Sequence, residues 1–164
     1  MLLGDEEAEK LRDVGLFGGF SDETLRKFAG PLEVVELESG VVIFNEGDAG
    51  REMFVVLGGR VEVLKRSKRD REMVVASLRP GTWFGERSIL DVMPRPATIR
   101  AAEASRLLRV TAHDLDTLYR SNIKAYTLLV LNIAREMSRQ LRLADGLLSD
   151  LMANLTDEYA PLRG

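Results

Sequence analysis

Residues 32–81 read LEVVELESGVVIFNEGDAGREMFVVLGGRVEVLKRSKRDREMVVASLRPG. Runs rich in β-branched and aromatic residues recur here at 32–37, 41–44, 52–57, 60–65 and 73–78. Gly40, Gly47, Gly50, Gly58-Gly59 and Gly81 separate them. Short strands at this spacing, broken by glycine turns, are the pattern of an antiparallel barrel or roll. Two more strands are expected at 97–100 and 106–110, and a strand ends at Trp83-Phe84. Residues 65–71, KRSKRDR, form a basic run that reads as a solvated hairpin loop.

Outward from this stretch the period is helical. Residues 6–29 hold helical pieces, with Leu11, Val14, Leu16 and Phe17 at near-helical spacing and Gly18-Gly19 as an interruption. Ser21 stands where an N-cap belongs, and Asp22 and Glu23 follow where the helix dipole favours acids. Pro31 lies beyond the end of that helix. On the other side, Thr111 caps a helix expected over 112–119, and a long helix follows from 123 to about 156. Val130, Ala134, Met137, Leu141, Ala144, Leu148, Leu151 and Leu155 step by four and three, the heptad seam of a coiled coil. The seam extends past anything a small roll covers, so a homodimer through residues 130–155 is expected. Gly146 weakens the helix there by about 1 kcal/mol relative to alanine. The reading is therefore mainly β with flanking helices: N-terminal helices over 1–30, a β-roll over 31–110 and C-terminal helices over 111–157. All lie in one domain spanning 1–164, a double-stranded antiparallel roll of the jelly-roll kind.

Composition narrows the chemistry. The chain has 164 residues, 45% hydrophobic and 30% charged, too apolar for disorder and large enough for one core. Its net charge of −3 argues against a dedicated nucleic-acid binder, which carries a basic surplus. No cysteine is present, which excludes disulfide scaffolds, thiolate metal sites and cysteine nucleophiles. The single histidine, His113, excludes a multi-histidine metal site and is expected to face solvent. The amino terminus lacks the basic start and apolar run of a secretory signal. The longest apolar run, MFVVL at 53–57, is far short of a membrane span. A cytoplasmic protein with no membrane partner is the expectation.

The chemistry-bearing stretch is Phe84-Gly85-Glu86-Arg87-Ser88-Ile89-Leu90-Asp91-Val92-Met93-Pro94-Arg95-Pro96-Ala97-Thr98-Ile99-Arg100-Ala101. Gly85 permits a tight bend. A helical turn is expected at 88–90, and its free N–H groups would favour an anion. Arg95 comes nine positions after Glu86. One acceptor, one fixed cation and a cluster of backbone donors suit a compact anion with ribose-type hydroxyls beside it. Arginine's planar fork matches phosphate oxygens, and an acidic residue matches a sugar hydroxyl. Alternatively, Glu86 and Arg95 would simply pair with each other and hold the loop.

This stretch resembles the phosphate-binding cassette of the cyclic nucleotide-binding domain. That domain is the β-roll module of protein kinase A regulatory subunits, the catabolite activator protein and cyclic-nucleotide-gated channels. The cassette has the form F-G-E-x-(A/S)-hydrophobic, a spacer, then P-R-x-A-T-hydrophobic-x-A. Residues 44–63 are similar to the family's glycine-rich strands, Leu16-Phe17 and the Ser21 helix fit its lead-in, and the likeness runs over about 11–145. The resemblance implies that Glu86 accepts the ribose 2′-hydroxyl and that Arg95 pairs with an exocyclic phosphate oxygen. Backbone N–H groups near Ser88 and Ala97 would face the phosphate, and Gly85 would allow close approach. Two residues depart from the pattern. Pro96 has neither N–H nor hydroxyl, which tilts the ligand to cAMP over cGMP. Arg87 replaces an aliphatic residue and is expected to point outward.

The resemblance leaves the base cap open among Ser138, Arg139, Gln140 and Arg142, with Arg139 and Gln140 as the candidates. Trp83 reads as partial core. The implied function is a regulatory sensor that binds a cyclic nucleotide and signals through its terminal helices or dimer geometry to an effector protein. The alternative is a roll without a nucleotide, or one answering to a cyclic dinucleotide, that serves as a dimerisation module. No cofactor, metal or catalytic residue is expected, and the chain is not read as an enzyme. A helix-turn-helix is not expected in the nine residues from Thr156 to Gly164, so no DNA binding is expected.

Overall fold

The computed structural model describes residues 3–159; residues 1–2 and the tail from 160, with Pro161 and Gly164, lie outside it. The chain opens with α1 (Asp5–Lys10), two 3-10 turns (Leu11–Asp13 and Gly15–Phe17) and α2 (Asp22–Ala29). Ser21 caps α2, its Oγ accepting from Thr24 N at 3.2 Å. Eight strands follow: β1 (Val34–Leu37), β2 (Val42–Phe44), β3 (Glu52–Gly58), β4 (Val61–Arg66), β5 (Glu72–Leu78), β6 (Trp83–Phe84), β7 (Thr98–Ala101) and β8 (Ser105–Thr111). The short helix α3 (Glu86–Leu90) interrupts them between β6 and β7. After β8 come α4 (Ala112–Ser121) and α5 (Ile123–Tyr159). Thr111 caps α4 reciprocally: its Oγ1 accepts from Asp114 N, and the Asp114 carboxylate accepts from Thr111 N at 2.8 Å.

The strands form two antiparallel four-stranded sheets, ordered β1-β8-β3-β6 and β2-β7-β4-β5. This is the expected roll with flanking helices. The differences are local. The first run becomes strand only at Val34, since Leu32 still packs with the helical core. The helical turn starts at Glu86 rather than 88, because Gly85 at φ 90° reverses the chain and serves as its N-cap.

Two cores divide the apolar residues. The larger lies beneath α2, α4 and the start of α5, where Leu16, Phe17, Leu25, Leu129 and Ile133 meet Met53, Val55 and Leu108. The smaller lies between the sheets, around Phe44, Phe54 and Phe84, whose ring centroids are 5.4–6.4 Å apart. Such aromatic pairs add about 0.5–1.5 kcal/mol each beyond burial. α5 buries Ala125, Leu129, Asn132 and Ile133 against the body, with half-buried Tyr126 packed beside them. From Ala134 to Thr156 no residue is buried, and Glu136 alone is half-buried.

Candidate functional site

A cavity of about 410 Å³ opens between the sheets and α5. Its walls are apolar: Phe44, Val63, Ala76, Leu78 and Ile99 from the sheets, with Trp83 and Phe84 from β6. Gly85, Glu86 and Arg87 enter it at the start of α3, Pro96 and Ala97 before β7, and Gln140 from α5. Its volume and lining fall within the range of small-ligand sites.

Register explains how the polar groups meet. β3 and β6 are antiparallel with Phe54 opposite Phe84, so the residues before Phe54 run alongside those after Phe84. Glu52 therefore comes level with the β6–α3 turn. Arg95 arrives from the other side, where its N–H donates to Asp48 O at 2.8 Å and its carbonyl accepts from Gly47 N at 2.9 Å.

The Arg95 side chain is 2% exposed. Its Nη1 donates to Glu52 O at 2.8 Å and Gly85 O at 3.2 Å, and Nη2 lies 3.9 Å from the Glu52 carboxylate. The guanidinium carbon sits 3.9 Å from the Phe44 ring centre, a cation–π contact. Nε is buried without an acceptor. Glycines make this room: a Cβ at Gly50 would overlap Nε, and one at Gly85 would stand 2.9 Å from Nη1. Burial pushes the Arg95 pKa down, and Glu52, Asp48 and Glu86 oppose that push. An arginine remains charged under such conditions.

Glu86 is buried and makes no ion pair among the described residues. The mutual Glu86–Arg95 pair that the sequence allowed is therefore not formed. Glu52 takes the place of Glu86 as the partner of Arg95, and Glu52 is itself fixed by Arg109 Nε at 2.6 Å. Desolvation raises the Glu86 pKa. Its own backbone hydrogen bond and nearby Arg87 and Arg95 pull it down, while Glu136 pushes it up. The Ser88 hydroxyl is buried and unpartnered.

The remaining expected residues separate. Arg87 is exposed at the cavity rim, as expected. Pro96 is half-buried in the wall, and Ala97 is buried. Of the two base-cap candidates, only Gln140 reaches the cavity. Arg139 turns away to Glu136, its Nε donating at 2.8 Å. Glu136 also accepts from Gln140 Nε2 at 3.0 Å, and so holds that side chain over the opening. Trp83 is half-buried, packing on the helical core and bordering the cavity. His113 is exposed, as expected. Sequence reasoning missed Glu52, Phe44 and Lys65, which lines the same cavity. Only the Gly50 and Gly85 positions hinted that a bulky group needs space there.

Residues 34–122 match the cyclic nucleotide-binding domain, and the chain belongs to that family. It is 37% identical over 95 residues to a cAMP-dependent protein kinase regulatory subunit of Mycosarcoma maydis, covering 58% of this chain and 18% of that protein. It is 29% identical over 144 residues to a CRP-like cAMP-activated global transcriptional regulator of Mycobacterium tuberculosis, covering 88% and 62%. The chain thus spans less than two thirds of either relative. The solved Thermus thermophilus catabolite activator protein superposes with a TM-score of 0.75 at 32% identity, covering 85% of this chain and 63% of that one.

Proposed function

We propose that this chain is a regulatory sensor that binds a cyclic nucleotide monophosphate, cAMP in preference to cGMP, in the cavity beneath α5. The observation that carries the reading is the buried Arg95 guanidinium. It lies against Phe44 and Gly85, both cavity residues, and its Nε–H has no acceptor. A buried donor without a partner costs about 1–3 kcal/mol, and a phosphate oxygen would satisfy it. Glu86 would accept the ribose 2′-hydroxyl, and the Ser88 hydroxyl and the backbone near Ala97 would complete the phosphate contacts. The base would rest on the apolar wall of Val63, Ala76 and Leu78, with Gln140 above it. Pro96 offers guanine neither N–H nor hydroxyl. The names of both curated relatives state a response to cAMP.

Signalling would run through α5. Gln140 borders the cavity, while the seam from Ala134 to Leu155 carries exposed Met137, Leu141, Leu148, Leu151 and Leu155. A dimer joined there would feel any movement of α5 toward the base, and an effector protein would read the change. Ligand affinity that differs between two α5 positions is what couples binding to that output.

Isothermal titration of protein refolded free of carried-over ligand tests the reading. One cAMP per chain, bound more tightly than cGMP, is expected. Arg95→Ala should weaken binding roughly 30-fold to several thousand-fold, the range of about 2–5 kcal/mol for truncating a buried charge contact. Absence of heat with either nucleotide, or parental affinity in Arg95→Ala, would overturn it.

A further inference from the structure

Strand β5 ends its sheet and pairs with β4 alone among the described residues. Along its seven residues the outward main-chain N–H and C=O groups are left for water or for another strand. Every residue from Glu72 to Ser77 is exposed, and Met73, Val74 and Val75 are 53–55% exposed. Charges or proline along an edge strand usually guard it against pairing. From Met73 to Leu78 this strand has neither. Its one charged residue, Glu72, is held by Arg100 at 3.3 Å.

The free charges lie at the two ends of the strand. Lys68, Arg69 and Arg71 precede β5 in the hairpin from β4, and Arg79 follows it. All four are exposed and make no ion pair among the described residues. Asp70, the one acid among residues 67–71, is paired with Arg66 at 3.4 Å. An apolar edge thus runs between two cationic ends.

Three occupants compete for such an edge. A second copy pairing antiparallel about Val75 would set Arg71 opposite Arg79 at both ends, and like charges placed opposite destabilise a strand pair. Val75 is also the extra residue of a bulge against β4, and two folded copies would bring two bulges together. A lipid surface would attract the cations, but hydrocarbon leaves a sheet edge without hydrogen-bond partners. An extended, flexible acidic segment supplies main-chain partners, adapts to the bulge and sets carboxylates against both ends.

We propose that β5 is the docking edge for an extended acidic segment of a partner protein, which adds one further strand beside β5. The full chain titrated with a labelled peptide, Asp-Asp-Val-Thr-Val-Thr-Val-Asp-Asp, tests it by anisotropy and hydrogen exchange. Saturable binding is expected, with slowed exchange in residues 72–78 and none in β1 or β8. A control peptide with five prolines in the middle keeps the charges but offers no N–H there. It should bind about tenfold more weakly or worse, as the main-chain hydrogen bonds are lost. Arg69→Glu/Arg71→Glu should weaken the first peptide about tenfold, with circular dichroism unchanged. Equal binding of the proline peptide would overturn strand addition. Parental affinity in the double variant, or protection outside 72–78, would overturn this edge. Protection of 72–78 that rises with chain concentration alone would give the edge to a second copy. Failure to bind the peptide, with or without binding to phosphatidylserine vesicles, would overturn an acidic segment as the partner.

Discussion

At the scale of residues, Glu86 at the cavity and Arg95 buried beside it are kept apart instead of paired. Arg95 is held by Glu52 and the Gly85 carbonyl, so its position is set before any ligand enters. Glu86 is buried without a cation, and its pKa is raised by desolvation. An acid whose folded pKa exceeds its unfolded value binds more protons when folded. Stability is then highest at low pH and falls as pH rises from the usual carboxylate range through the folded pKa, with no further loss above it. Glu86→Gln removes the charge that must be buried. The nucleotide-free variant should therefore melt higher at neutral pH, by about 2–4 °C for each kcal/mol regained, and lose this part of the pH slope. The same variant should bind cAMP more weakly, because an amide oxygen accepts the ribose hydroxyl less strongly than a carboxylate. Scanning calorimetry from pH 4 to pH 8 with a parallel titration decides it; a variant less stable than the parent at neutral pH would show that Glu86 has an unrecognised partner. That Glu86 and Arg95 are the charged residues to watch around the Gly85 turn was legible in the sequence. Glu52 was not, because its place depends on a strand register, Phe54 opposite Phe84, that no local pattern encodes.

At the scale of elements, α5 carries two apolar stripes that the sequence shows as one periodicity. The heptad seam was legible because its steps of four and three are regular. The body-facing stripe was not, because a polar residue sits within it. Asn132 is 7% exposed, and its Nδ2 donates to Leu16 O at 3.1 Å and Gly18 O at 2.9 Å. Those carbonyls belong to the second 3-10 turn and the residue just after it, so a single amide ties the N-terminal lead-in to the helix above it. Its Oδ1 accepts from Arg135 at 3.0 Å. Asn132→Ala leaves the Leu16 carbonyl buried without its donor and should cost about 1–3 kcal/mol. Hydrogen exchange should rise first in residues 11–20, with strands β3 and β8 still protected. Uniform loss of protection across the sheets would mean that Asn132 supports the whole core rather than this junction. The α3 start is a smaller case of the same limit: a left-handed glycine acting as N-cap moved it two residues from where the sequence placed it.

At the scale of the whole molecule, burial and the proposed self-association fall on different lengths of the chain. The alternating strands and capped helices made the roll legible, since each local preference agrees with the global fold. The sequence pattern of α5 also indicated that it outruns the roll, and the structure locates the change at Ala134, the first residue of α5 past the last buried side chain, Ile133. Hydrophobic stabilisation follows area removed from water, so the distal helix contributes little to the folding of one protomer. A chain ending at Arg142 keeps Gln140 at the cavity and every buried residue of the two cores. It should melt within about 0.5 kcal/mol of the full chain extrapolated to low concentration, as substitutions away from buried features do. It should still gain about 2.7 kcal/mol from cAMP at one hundred times Kd. What it should lose is concentration dependence: the full chain's melting temperature should rise with protomer concentration, since the proposed assembly would stabilise the folded state by mass action, and the shortened chain's should stay flat. A shortened chain that melts early at every concentration would show instead that the distal helix folds back on its own roll.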